Sequence, residues 1–175
     1  KFGKGKFPDI LNLSFKKKQE LRYGENPHQQ AAFYKDPFID KCCITSIKQL
    51  HGKELSYNNI LDMENGFQLI KEFEEPIAAI IKHNNPSGVA AREYIDEAFS
   101  AALAADPLSA FGSIVALNRA CDKKTAEKMK ECFIEVVLCP KFNNDALQIL
   151  REKKNIRLME AASVTKPCPG YFMTK

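Results

Sequence analysis

The sequence predicts an α/β protein of three layers, with helices on both faces of a mixed, largely parallel sheet. Two observations predict it. Segments with apolar residues at helical spacing alternate with short apolar runs over residues 57–159, and such alternation builds layers around a sheet. The run at 77–81 is apolar at every position, the pattern of a strand covered on both faces.

The elements follow in order. Residues 1–20, KFGKGKFPDILNLSFKKKQE, mix Gly, Pro and Lys without periodicity and read as a connecting arm. A strand is predicted near 30–34, closed by Asp36-Pro37, and a second extended piece near 45–50. Ile60, Met63, Phe67 and Ile70 recur at helical spacing, so an amphipathic helix is expected over 57–73. After the strand at 77–81, residues 92–105 are Ala-rich, with Ile95, Phe99 and Ala102 on one face and Asp106-Pro107 as the stop. A strand at 113–117, a helix over 124–133 capped by Asp122, a strand at 136–139, a helix over 145–153 and a strand at 156–159 complete the series. The chain begins with Lys and finishes in ASVTKPCPGYFMTK, so it reads as part of a longer polypeptide: a connector over 1–20, an α/β unit over 21–160 and the start of a further segment over 161–175.

Charge and cysteines exclude several classes. The net charge of +4 resides in residues 1–20, where six lysines face Asp9 and Glu20; the rest of the chain balances to zero. No Arg or aromatic repeat accompanies that basic arm, so it reads as a solvated segment and not as a nucleic-acid surface. No apolar run has the length of a membrane-spanning helix, and the basic start lacks the apolar region of a signal peptide. The expectation is a cytoplasmic protein that meets neither membrane nor nucleic acid. Six cysteines without a C-x-x-C pair disfavour zinc and suit free thiols, with Cys121, Cys132 and Cys139 as small core residues.

Three segments can carry chemistry. LRYGENPHQ (21–29) packs Arg22, Tyr23 and His28 into one turn-prone loop; Arg suits phosphate and Tyr suits stacking on a heterocycle, although a plain polar loop has the same composition. KHNNPSG (82–88) follows the apolar strand with a cation, an imidazole and two amides. Reaction sites of open α/β sheets sit at carboxyl ends of strands, while a solvated turn is the bland alternative. No nucleophile accompanies His83 at a motif spacing, and the H-x-E with P-C-x-x-C of a zinc deaminase is absent, Asn85 standing where the Glu would be. General acid–base work by His83 beside the fixed cation of Lys82 remains. It requires the chain to leave strand geometry, because neighbours on a strand point to opposite faces. DPLSAFG (106–112) precedes a strand, and Gly112 can admit a planar ligand close to the backbone or simply close a turn.

Taken together, LRYGENPHQ, KHNNPSG, DPLSAFGSIVALNR and FIEVVLCP stand in an order that resembles the aminoimidazole carboxamide ribonucleotide (AICAR) transformylase part of the bifunctional purine-biosynthesis family that also carries inosine monophosphate cyclohydrolase. The likeness runs over about 21–158; beyond Glu160 the pattern is followed only loosely. The resemblance implies cytidine-deaminase-like α/β/α units without the zinc, and formyl transfer from 10-formyltetrahydrofolate, as cosubstrate, to the 5-amino group of AICAR. It implies Lys82 and His83 as the catalytic pair and Arg22, Tyr23, His28, Asn85, Gly112 and Glu135 as substrate-binding residues, with Arg22, Tyr23, Gly112 and Glu135 on the nucleotide. It also implies a homodimer with a shared site, no required metal, and folate partners outside this chain, so that the segment holds half a site. The alternatives are a non-catalytic nucleotide-binding fragment and a domain contacting RNA through the basic arm.

Overall fold

In the computed structural model, which describes residues 10, 12–38 and 43–164, eight strands and four helices alternate along the chain. The strands are β1 (Lys16–Glu20), β2 (Ala32–Lys35), β3 (Lys48–His51), β4 (Ile77–Lys82), β5 (Asn85–Ala91), β6 (Ser113–Leu117), β7 (Ile134–Cys139) and β8 (Arg157–Glu160). The helices are α1 (Tyr57–Ile70), α2 (Ile95–Ala105), α3 (Lys123–Lys130) and α4 (Asn144–Arg151). A six-stranded sheet runs in the order β3-β8-β7-β6-β4-β5, and β1 and β2 form a separate antiparallel pair. The sheet is mixed. Parallel pairing is confined to β6–β7–β8, while β4, β5 and β3 pair antiparallel, so the parallel share is smaller than the apolar runs suggested.

Alternating side chains explain the three layers. Ala78 and Ile80 of β4, with Val115 and Leu117 of β6, pack against Phe99 and Ala102 of α2, Met129 of α3 and Leu150 of α4. Ile77, Ala79 and Ile81, with Ile114 and Ala116, face the opposite way and meet Met63, Phe67 and Ile70 of α1. β4 and β6 are therefore buried on both faces, and their continuous apolar runs follow from that. Helix α1 begins with a capping box: Ser56 Oγ accepts the Asn59 N–H while Asn59 Oδ1 accepts the Ser56 N–H. Asp122 caps α3 by accepting the Thr125 N–H at 2.8 Å, as the sequence predicts.

Two strands lie outside the sequence reading. β1 falls within the stretch assigned to the arm; its lysines stay at the surface while the backbone pairs with β2. β5 occupies what reads as a Pro/Gly turn. Among the described residues it bonds only to β4, and Pro86, which has no N–H to give, is tolerated on such an edge. Gly88 is also placed by packing: a Cβ there would stand 1.9 Å from the Ala102 carbonyl oxygen, so α2 rests directly on the β5 backbone. Among the described residues, Cys121 and Cys139 are fully buried free thiols and Cys132 is half-buried against the same core. Cys42, Cys168, the arm over 1–9 and the segment 165–175 lie outside the described residues. Within them, no helix is long and apolar enough to cross a membrane.

Candidate functional site

The candidate site lies along one end of the sheet. Because β4 runs antiparallel to β6, its carboxyl end adjoins the amino ends of the parallel strands β6, β7 and β8. Lys82, Gly112, Glu135 and Arg157 therefore share one end. The candidate residues thus stand at the carboxyl end of β4 and at the amino ends of the other three strands.

Lys82 is the last residue of β4, paired with Asn85 across a two-residue hairpin. The two loop residues, His83 (φ 50°) and Asn84 (φ 68°), both adopt the left-handed conformation, which defines a type I′ turn. The chain thus leaves strand geometry immediately after Lys82, as joint action of the two neighbours requires. Neither residue is glycine, and each left-handed non-glycine costs about 1–3 kcal/mol unless its surroundings impose it. Those surroundings come from α1 and β5. Asp62 Oδ1 accepts the Asn84 N–H at 2.7 Å, Asn65 Nδ2 donates to the Asn84 carbonyl and side-chain oxygens at 3.3 Å each, and Asn85 Nδ2 donates to the His83 carbonyl at 3.1 Å. The His83 imidazole is exposed and, among the described residues, takes no hydrogen bond. Both of its ring nitrogens are open to a ligand.

The Lys82 ammonium is aimed rather than free. It donates to the Phe111 carbonyl at 2.7 Å and the Gly112 carbonyl at 3.1 Å. An ammonium has three protons, so one remains for a ligand. Gly112 has φ 70°, and a Cβ there would lie 3.1 Å from Lys82 Nζ and 3.3 Å from the Phe133 ring. Glycine takes that backbone without strain, and a Cβ there would push the lysine or the ring aside by a few tenths of an ångström. Its N–H donates to the Phe133 carbonyl at 2.8 Å, and the Phe111 and Phe133 rings pack at 4.7 Å beside it.

The second half of the site is built on β7, β8 and the LRYGENPHQ loop. The loop is clamped to the start of α1: the Arg22 N–H donates to the Leu55 carbonyl, the Tyr57 N–H to the Tyr23 carbonyl, and Asn58 Nδ2 to the Glu25 carbonyl. The Arg22 guanidinium stacks over the Tyr23 ring at 5.1 Å. Glu135 Oε2 accepts Asn59 Nδ2 at 3.0 Å and pairs with Arg157 Nη1 at 3.6 Å, leaving Oε1 unengaged among the described residues. Arg157, only 6% exposed, also donates through Nε to the Glu54 carbonyl. Burial pulls its pKa down, and the nearby Arg22 charge adds to this while Glu135 opposes it. The corner therefore holds two guanidiniums for one carboxylate.

Of the sequence-predicted residues, the structure groups Lys82, His83, Asn85 and Gly112 at the hairpin, and Arg22, Tyr23 and Glu135 at the β7–β8 corner. His28 stands exposed in a loop closed by the Gly24–Gln29 and Gln29–Asn26 backbone bonds, and among the described residues it makes no hydrogen bond to either group. The sequence reading missed Asp62, Asn65, Asn59 and Arg157. Asp62 and Asn65 stand three apart on α1, a spacing that puts them on one face, but nothing in the sequence says that this face meets the turn. Concavities of about 520 Å³ (beside Gly24, Gln29 and Tyr57) and about 450 Å³ (between β1–β2 and the sheet) contain neither Lys82 nor His83. The unspent polar groups, and not enclosure, mark this end of the sheet. Among the described residues no three His, Cys, Asp or Glu side chains gather as a metal site.

The class defined so far is an α/β/α domain with a lysine–histidine hairpin and a guanidinium–carboxylate corner at one end of its sheet. The chain belongs to the family described as AICARFT/IMPCHase bienzyme, whose model matches residues 1–173. It is 50% identical over 175 residues to the bifunctional purine biosynthesis protein PurH of Acetivibrio thermocellus, covering 99% of this chain and 34% of that protein. It is 51% identical over 166 residues to PurH of Caldicellulosiruptor saccharolyticus (94% and 32% covered) and 53% identical over 152 residues to PurH of Halalkalibacterium halodurans (87% and 30%). The chain thus spans about a third of the length of the curated relatives it matches.

Proposed function

We propose that this chain supplies the nucleotide-side half of a formyltransferase site, moving the formyl group of 10-formyltetrahydrofolate to the 5-amino group of AICAR in purine biosynthesis. The observation that carries the reading is the hairpin itself. A lysine with one unspent proton adjoins an unengaged imidazole on a turn held in a costly conformation, in a chain of this family. The amine nitrogen attacks the formyl carbon and a C–N bond forms. His83 takes the amine proton, and the Lys82 ammonium donates to the formyl oxygen as negative charge develops there. The bond from the formyl carbon to N10 of the folate then breaks, and N10 takes a proton. Arg22 suits the nucleotide phosphate, Tyr23 the heterocycle and the open Oε1 of Glu135 a ribose hydroxyl, with Gly112 admitting the nucleotide close to the backbone.

His83 is exposed and Lys82 half-buried, whereas transfer to a weakly nucleophilic aromatic amine requires both substrates held together. The folate contacts and the cover over the hairpin are therefore assigned to the rest of a protein of the relatives' length, acting as a cytoplasmic homodimer that needs no metal. The test is a formyl-transfer assay with calorimetry, on this chain and on one extended to the full length of its relatives. The expected result is weak nucleotide binding and negligible transfer by the segment, with activity in the extended protein. Full turnover by the segment alone would sink the half-site reading. Nucleotide binding without transfer by the extended protein would favour a non-catalytic binding module.

A further inference from the structure

We propose that Asp62 and Asn65 of α1 are positioning residues, which fix the left-handed His83–Asn84 turn so that the imidazole and the Lys82 ammonium face one substrate. The inference rests on the reading of His83 as the proton acceptor and goes beyond it by naming what aims that group.

A type I′ turn accommodates glycine in its second loop position without help, and asparagine is the next best tolerated residue there. Here the first loop residue is His83 and the second Asn84, so the pair has less intrinsic preference for the turn than Asn-Gly would. The deficit is met from outside the hairpin. The Asp62 carboxylate, half-buried on α1, takes the Asn84 N–H at 2.7 Å, a short, charge-assisted bond. One turn along the helix, the Asn65 amide spans the Asn84 carbonyl and side-chain oxygens at 3.3 Å. Both faces of the Asn84 peptide environment are thereby tied to the helix that packs under β4. Met63, Gly66 and Phe67, interleaved with these two residues, are buried against the sheet. The turn therefore inherits the rigidity of the core.

Neither side chain needs to touch substrate to matter. Releasing Asn84 frees the hairpin loop to other conformations, and a displacement of about 1 Å at a reacting group can lower a rate about 10²-fold.

The experiment uses the protein extended to its relatives' length. Asp62→Ala is expected to lower kcat by about 10- to 100-fold, with the nucleotide KM little changed and the Asn84 amide losing protection from hydrogen exchange. Asp62→Asn keeps an acceptor oxygen and is expected to retain most of the rate. Adding Asn84→Gly to Asp62→Ala should recover much of it, because glycine holds the turn unaided. Should Asp62→Ala lose its fold, Asn65→Ala provides the same split between kcat and KM with a smaller loss. Unchanged kcat in the alanine variants overturns the inference, as does equal damage from Asp62→Asn and Asp62→Ala. Normal turnover in His83→Ala, measured in the same assay, overturns the functional reading itself. An impaired His83→Ala beside an unimpaired Asp62→Ala overturns only the positioning role.

Discussion

The two ends of β4 are both polar, and they spend their polar groups in opposite ways. At the amino end, Asn118 is 3% exposed and fully occupied: its Oδ1 accepts the Ile77 N–H, while its Nδ2 donates to the Phe73 and Glu75 carbonyls at 3.1 and 2.8 Å. At the carboxyl end, Lys82 keeps a proton in reserve and His83 is unengaged among the described residues. The closed end also holds Cys121 and Cys139 near the carboxyl ends of β6 and β7, with the Cys121 N–H and the Cys139 thiol both donating to the Lys141 carbonyl. Burial pushes the Cys121 thiol up to about 12, and Cys139 well above its ordinary range. A buried polar group with every partner supplied stabilises the fold and offers nothing to a ligand. An exposed one aimed by its neighbours contributes little to stability and is available for chemistry.

That contrast breaks most decisively at His83. His83→Ala in the full-length protein is expected to lower turnover by about 10²-fold or more, with nearly unchanged nucleotide affinity. Its melting temperature should fall only slightly, since alanine suits the left-handed position less well than histidine. Steady-state kinetics beside thermal denaturation checks both halves, and near-normal turnover would remove His83 from the chemistry. The mirror experiment is Asn118→Ala at the closed end. It leaves the Ile77 N–H and two carbonyls without their partner, which costs about 2–4 kcal/mol of stability and leaves the turnover of folded protein intact. Chemical denaturation measures it; a loss of activity without a loss of stability would erase the distinction between the ends.

The smallest effect sharpens the comparison through pH. The folded Cys121 thiol holds its proton to about 12, whereas an unfolded one loses it near 9. The folded state binds more protons in that window, so the stabilisation is complete below pH 9 and is lost as pH rises toward 12. Between pH 8 and pH 10 the Cys121 thiol should cost about 1 kcal/mol of stability. Cys121→Ala should flatten the denaturation midpoint over that range relative to the parent chain. An unaltered pH slope would contradict the burial argument.

The sequence by itself determined the layers. Continuous apolar runs at β4, β6 and β7 and the 3.6-residue spacing of Met63, Phe67 and Ile70 specify strands between helices, because burial on two faces or on one stripe leaves that mark on residue type. Motif order also singled out Lys82, His83, Arg22, Tyr23, Gly112 and Glu135 as candidates. Tertiary structure alone decided the rest. β1 exists through its pairing with β2, and β5 through the hairpin with β4 and the α2 backbone laid against Gly88, so the lysines, Pro86 and Gly88 read locally as arm and turn. Antiparallel placement of β4 against β6 brought its carboxyl end to the amino ends of β6, β7 and β8, a choice of direction that no strand's composition records. The Asp62 bond to Asn84 spans 22 residues, the Asn59 bond to Glu135 spans 76, and the Arg157 bond to the Glu54 carbonyl spans 103. Each depends on where two separate elements come to rest, and a single sequence states what its residues can bond to but not what the fold will place beside them.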